Sequence, residues 1–263
     1  MNKTRIVNFF KKYGHIWTLS YAFLYLPWFA YLERTVTRRY HVMHSQLDDL
    51  IPFNEYFIIP YLLWFIYVAG ALAYFFFTSK ENYYQLCTYL FAGMTISLLI
   101  CTIFPNGTDL RPVIDPDKNL CSYLVSLIYR ADTCTNVFPS IHVYNSICVH
   151  VALTKSRALQ DRRLVRIGSA VLMVAICMAT VSLKQHSVID VAGGILAAIV
   201  IYRSPIPAAT PGRSRPARWP CARHGPDFGF SDIRIPPDES SLSSGGIFYI
   251  SCIVCISCIV CHQ

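Results

Sequence analysis

The chain has 263 residues, 54% of them hydrophobic and only 14% charged, with a formal net charge of +8. A composition this apolar excludes an ordinary soluble domain and points to an integral membrane protein. The basic residues flank apolar runs, so the charge speaks for membrane topology rather than for nucleic acid.

Residues 1–14 carry Lys3, Arg5, Lys11 and Lys12, and no small-residue cleavage site follows the first apolar run, so no cleavable signal is expected. The first span is predicted from about His15 to Leu32, with Pro27 as a kink. A polar loop with Arg34, Arg38, Arg39, Asp48 and Asp49 precedes a second span, about Ile58 to Phe77, in which Pro60 is tolerated in the first turn. The third runs from about Gln85 to Phe104 and ends at Pro105-Asn106-Gly107. Asn106-Gly107-Thr108 reads as a turn rather than a glycosylation acceptor.

The next loop covers about 106–138. Within it Leu120, Leu124, Leu127 and Ile128 recur at helical spacing, which predicts a short amphipathic helix at the interface. Cys121 and Cys134 can pair if this loop faces an oxidising compartment; separate thiols are the reading adopted. A fourth span begins near Pro139 and reaches about Leu153, followed by a loop with Lys155, Arg157, Arg162, Arg163 and Arg166. The fifth is about Ile167 to Leu183 and the sixth about Ser187 to Tyr202. The expected fold is therefore all-α, a polytopic bundle of six transmembrane helices with one interfacial helix.

Residues 1–203 form this membrane domain. Residues 204–263 read as a disordered low-complexity tail, since eight of the fifteen prolines fall between Pro205 and Pro237. A repeat, Ile250–Cys255 then Ile256–Cys261, ends the chain; its spacing is faintly like an iron–sulfur ligand run, but an apolar low-complexity tail is the reading adopted. The abrupt change after Arg203 suggests a segment not native to the fold, from an altered reading frame or a fusion.

Six spans put the third and fifth loops on one side. Arg111, Ser140 and His142 then share a membrane face with Lys184, His186 and Asp190. Ten Lys/Arg lie in the amino terminus and the second and fourth loops, against seven in the other three. The positive-inside rule places both ends of the six-span core in the cytoplasm and this face outside, with the plasma membrane as the expected location.

His186 and Asp190 are four residues apart, so on a helix the carboxylate can reach the imidazole and fix its tautomer. The other ring nitrogen is then free to attack phosphorus. His142 can protonate the leaving oxygen. Arg111 can hold phosphate oxygens bidentately, and Lys184 adds a cation. Ser140 and the first N–H groups of the fourth span form an anion site. Plainer readings stand beside these. Ser187-x2-Asp190 is also a capping box, and serine at 140 is a common helix cap. Gly193 and Gly194, with Ala197 and Ala198, suit close helix packing.

Pro139-Ser140-Ile141-His142 and His186-x3-Asp190 resemble the second and third motifs of the type-2 phosphatidic acid phosphatase superfamily, and Arg111-Pro112 resembles the end of its first. The family pattern is K-x6-R-P, then P-S-G-H, then S-R-x5-H-x3-D. Here Phe104 stands at the lysine position, Ile141 at the glycine, and Ala179-Thr180 at the Ser-Arg pair. The resemblance covers about residues 100–202. It implies hydrolysis of a lipid phosphate or diphosphate through a phosphohistidine, with His186, His142 and Asp190 catalytic, Arg111 and Ser140 binding phosphate, and neither metal nor cofactor; Lys184, outside the motifs, is expected to add a phosphate-binding charge in place of a missing one. The departures resemble the looser motifs of the head-group-transferring branch. A phosphotransferase like inositol phosphorylceramide synthase and a catalytically silent membrane protein are the alternatives.

Overall fold

A computed structural model describes residues 13–204. The basic amino terminus, the proline-rich segment and the cysteine repeat lie outside the described residues.

The described chain is predominantly helical. A 3₁₀ turn, Gly14–Tyr21, runs into α1 (Ala22–Thr35), which contains Pro27. The first loop holds a two-residue strand β1 (His41–Val42) and a short helix α2 (Gln46–Leu50). A 3₁₀ turn at Glu55–Phe57 opens α3 (Ile58–Thr78). One residue, Ser79, separates α3 from α4 (Lys80–Ile103), and its hydroxyl accepts from Asn82 N at 3.3 Å to cap α4. The third loop carries β2 (Asn106–Gly107), which pairs in parallel with β1, and then α5 (Leu120–Ala131). Three helices complete the bundle: α6 (Ile141–Lys155), α7 (Arg163–Ser182) and α8 (Val188–Arg203).

Among the described residues, three segments are long and apolar enough to cross a membrane: Glu55–Thr78, Lys80–Ile103 and Arg163–Ser182. The other three predicted spans are shorter helices. α6 and α8 have 15 and 16 residues, a rise of about 22–24 Å against a hydrocarbon core of about 30 Å. Their lengths match the spans expected from the sequence, and their starts are set locally. Ser140 and Ser187 stand in extended backbone as N-caps, so each helix begins only after its cap.

α6 lies at the centre and packs on α3, α4, α7 and α8. Together with these partners it buries Phe75, Leu86, Leu90, Ile176 and its own Val149 in one apolar cluster. Gly194 lets α8 approach the start of α6: a Cβ there would lie 2.7 Å from Ser140 O. Gly193 faces the Phe138 ring in the same way. α5 is the expected short helix. Val125 is buried, Leu124 and Ile128 are partly packed, and Leu120 stays 72% exposed, so an apolar edge remains outside the protein. Cys121 and Cys134 are free thiols. The β1–β2 ladder was not expected; it ties the first loop to the third, with His41 N donating to Pro105 O at 2.8 Å.

Candidate active site

The site forms where α6 begins and where α7 turns into α8. After α7, Lys184 adopts a positive φ of 53°, a costly conformation for a residue other than glycine. The turn is closed by one carbonyl: Gln185 N and His186 N both donate to Thr180 O, at 3.0 and 3.1 Å. This reversal aims His186 at α6. Its Nε2 lies 3.3 Å from His142 Nδ1, with the rings edge to face at 61°. One nitrogen of that pair donates and the other accepts, so two neutral rings joined in this way carry the same tautomer, both protonated at Nδ1 or both at Nε2. Both residues are buried, His142 against Tyr61 and Trp64 at centroid distances of 4.9 and 4.4 Å.

Asp190 sits beside His186 and does two things. Its Oδ2 accepts from Ser187 N at 2.8 Å, completing a capping box at the start of α8. The same oxygen is 3.4 Å from His186 Nδ1, but the nitrogen is not aligned with it as a donor, and Asp190 Oδ1 has no partner. Cap and imidazole thus share one carboxylate. Ser140 caps α6, its Oγ accepting from Val143 N at 3.5 Å, and its own N–H donates to Asp190 O at 3.1 Å.

The remaining expected cations are engaged by protein atoms. Lys184 Nζ donates to Asp48 O and Ile51 O, each at 2.5 Å, at the end of α2. Arg111 donates through Nη1 to Asp132 O and through Nη2 to Thr133 O, both at 2.7 Å, and Nη2 also holds Gln185 Oε1. Its guanidinium stands 4.8 Å above the Tyr129 ring. Arg111 therefore meets the histidine pair through Gln185, the neighbour of His186.

Sequence reasoning passed over several residues that shape this region. Asp48 of α2 is buried and accepts from Ser187 Oγ at 2.6 Å, Val188 N at 2.8 Å and Ser45 N at 2.8 Å. The first loop thus grips the turn that carries His186. Ser45-x2-Asp48 is a capping box readable in the sequence, but it marks only the start of α2. Glu33 is buried at the end of α1, accepting from Thr133 Oγ1 at 2.5 Å and Asn136 Nδ2 at 2.8 Å. Asp132, 3.6 Å from Arg111 Nη2, is pushed by burial up to about 6, with Arg111 opposing the rise and Glu33 adding to it.

A cavity of about 200 Å³ opens from the histidine pair into the bundle. Its polar end holds His142, His186, Gln185, Asn145, Asp132 and Asn136; the rest is apolar and aromatic. Eight buried side-chain polar atoms lack a hydrogen-bond partner among the described residues. Seven belong to this neighbourhood: Trp64 Nε1, Arg111 Nε, Asn136 Oδ1, Asn145 Oδ1, Gln185 Nε2, His186 Nδ1 and Asp190 Oδ1. Trp64, Asn136, Asn145, Gln185 and His186 line the cavity itself, and native interiors pair nearly all such groups, so five unpaired atoms there mark a place prepared for a polar ligand. No family model, curated protein or solved structure matches the chain.

Proposed function

We propose that this protein is a membrane-embedded enzyme that hydrolyses a lipid phosphate or diphosphate through a phosphohistidine, as its resemblance to type-2 phosphatidic acid phosphatases implies. The observation that carries the reading is the paired imidazoles, 3.3 Å apart, at the head of an apolar cavity whose polar end is lined by five residues with unpartnered polar atoms. A phosphate head enters by parting the two rings. His186 Nε2 then attacks phosphorus, a P–N bond forms, and the P–O bond to the lipid breaks. His142 gives its proton to the leaving oxygen. Water next attacks phosphorus, returns a proton to His142, and releases phosphate as the P–N bond breaks. Asp190, 3.4 Å from His186 Nδ1, steadies the charge on the substituted ring. Trp64 Nε1 and Gln185 Nε2 are donors for the phosphate oxygens, and Arg111 holds Gln185 in place. Ser140 and Lys184 act here by fixing the two turns rather than by touching phosphate.

In this reading the chain crosses the membrane six times, through α1 with its preceding turn, α3, α4, α6, α7 and α8. The site lies on the outer face of the plasma membrane. No nucleic acid and no metal takes part.

A second reading, transfer of the phosphoryl-linked head group to an alcohol, is favoured by the charge balance. Phe104 and Thr180 stand where the resembled pattern has cations, Lys184 is taken up by carbonyls, and Asp132 lies in the cavity wall. Such a site suits the single charge of a phosphodiester better than a dianion. Product analysis with and without an added alcohol separates the two. For the main reading, purified protein in chelator releases inorganic phosphate from a lipid phosphate, and His186→Ala loses that release. Undiminished release from the variant overturns it.

A further inference from the structure

The cavity continues well past the histidines. From Tyr61, which stacks on His142, it follows α3 to Leu72, eleven residues further on. At helical rise that is about 16 Å. Its walls are Tyr25 and Phe29 of α1, Val68 and Leu72 of α3, and Leu90 and Met94 of α4. Thr18 and Tyr83, hydrogen-bonded to each other at 2.7 Å, line its far end. Protein interiors leave few voids larger than a water molecule, and an apolar one is not filled by water. A narrow apolar limb continuous with a polar head matches an amphiphile with its head at the histidines.

Resting on the function proposed above, we infer that this limb is a chamber for a single alkyl or isoprenoid chain. The substrate tail lies inside the bundle between α1, α3 and α4 rather than among the surrounding lipids, and Leu72 near the far end limits its length. The whole cavity, polar end included, measures about 200 Å³, room for one slender chain rather than two. An extended chain advances roughly 1.2 Å per bond, so about 13 carbons reach the floor.

The test is kcat/KM for n-alkyl phosphates from butyl to hexadecyl, as monomers below their micelle concentrations, with the full chain and with Leu72→Trp. In the unmodified protein each added methylene raises kcat/KM by up to about fourfold, and the rise stops near about 13 carbons. In Leu72→Trp the rise stops earlier, and the dodecyl-to-butyl ratio falls roughly tenfold as about two methylenes lose their place. Each protein is compared with itself, so a general loss of activity cancels. If Leu72→Trp aggregates on size exclusion, Leu72→Phe takes its place, with the same direction expected. Equal ratios in variant and parent overturn the chamber and leave the histidine chemistry standing. Failure of the parent protein to turn over any member, butyl phosphate included, overturns the proposed function itself.

Discussion

Replacing Asp48 by alanine removes the one side chain through which the first loop grips the turn that carries His186. Three donors lose their acceptor: Ser187 Oγ, Val188 N and Ser45 N. Ser187 is fully buried, so its hydroxyl costs about 1–3 kcal/mol if left unpaired. Val188 N is half-buried at the start of α8 and adds about 1 kcal/mol. The carboxylate also sits at a helix N-terminus, worth about 0.3–1 kcal/mol. Ser45 N–H is nearer to solvent and adds little. The sum is about 2–5 kcal/mol, or roughly 4–20 °C in Tm for a domain of this size. Asp48→Asn keeps one acceptor oxygen and should lose about half as much. Thermal unfolding in detergent reads the total, and amide exchange at Val188–Asp190 should accelerate locally. The control is Asp49→Ala, whose side chain is 63% exposed and pairs with His44 at the surface; it should change stability by less than about 0.5 kcal/mol. An Asp48→Ala protein as stable as the Asp49→Ala control, with unaltered exchange at Val188, would refute the idea that α2 holds the turn.

Two further predictions concern the polar end of the cavity and the helix crossing beneath it. Asp132 is raised from 3.8 to about 6, first by burial, so the folded state holds its proton more tightly than the unfolded state does. Stability should therefore fall as pH rises from about 4 to about 6, and the penalty is complete above that range. A two-unit shift corresponds to about 3 kcal/mol; because 34% of the side chain is open, screening leaves about 1 kcal/mol. Asp132→Asn should raise Tm at pH 7.5 and much less at pH 4; a gain independent of pH would contradict the burial argument. Gly194→Ala places a Cβ 2.7 Å from the Ser140 backbone oxygen, and should cost about 1–3 kcal/mol by forcing α8 off α6. Gly168→Ala, with nothing within 4 Å, should be neutral or stabilising; equal Tm changes in the two variants would refute the contact.

Much of the site was legible because it is local. His186 and Asp190 lie four residues apart, and the Ser187 and Ser140 caps follow from residue type and position; His186 itself stands in the turn before the Ser187 cap rather than on the helix expected. The capping box foreseen as an alternative for Asp190 is formed, and the carboxylate also stands close to the imidazole. What the pattern could not carry was long-range. Asp48 meets Ser187 across 139 residues, and nothing in a loop reading Asp48-Asp49 says which acid turns inward. Lys184 looked like a free cation beside His186, but its positive φ turns it toward the first loop, where two carbonyls take its ammonium. Arg111 meets the site through Gln185 and Asp132, residues no motif marks. The starts of these two helices were legible to within two residues, because Ser140 and Ser187 cap them locally.

The central claim is that His186 carries the phosphoryl group between lipid and water. Rapid quenching during turnover of a radiolabelled lipid phosphate tests it directly. The account predicts label on the chain that survives alkali, is lost in acid, and is absent from His186→Ala. Turnover without any labelled intermediate, or label persisting at full level in that variant, would contradict it.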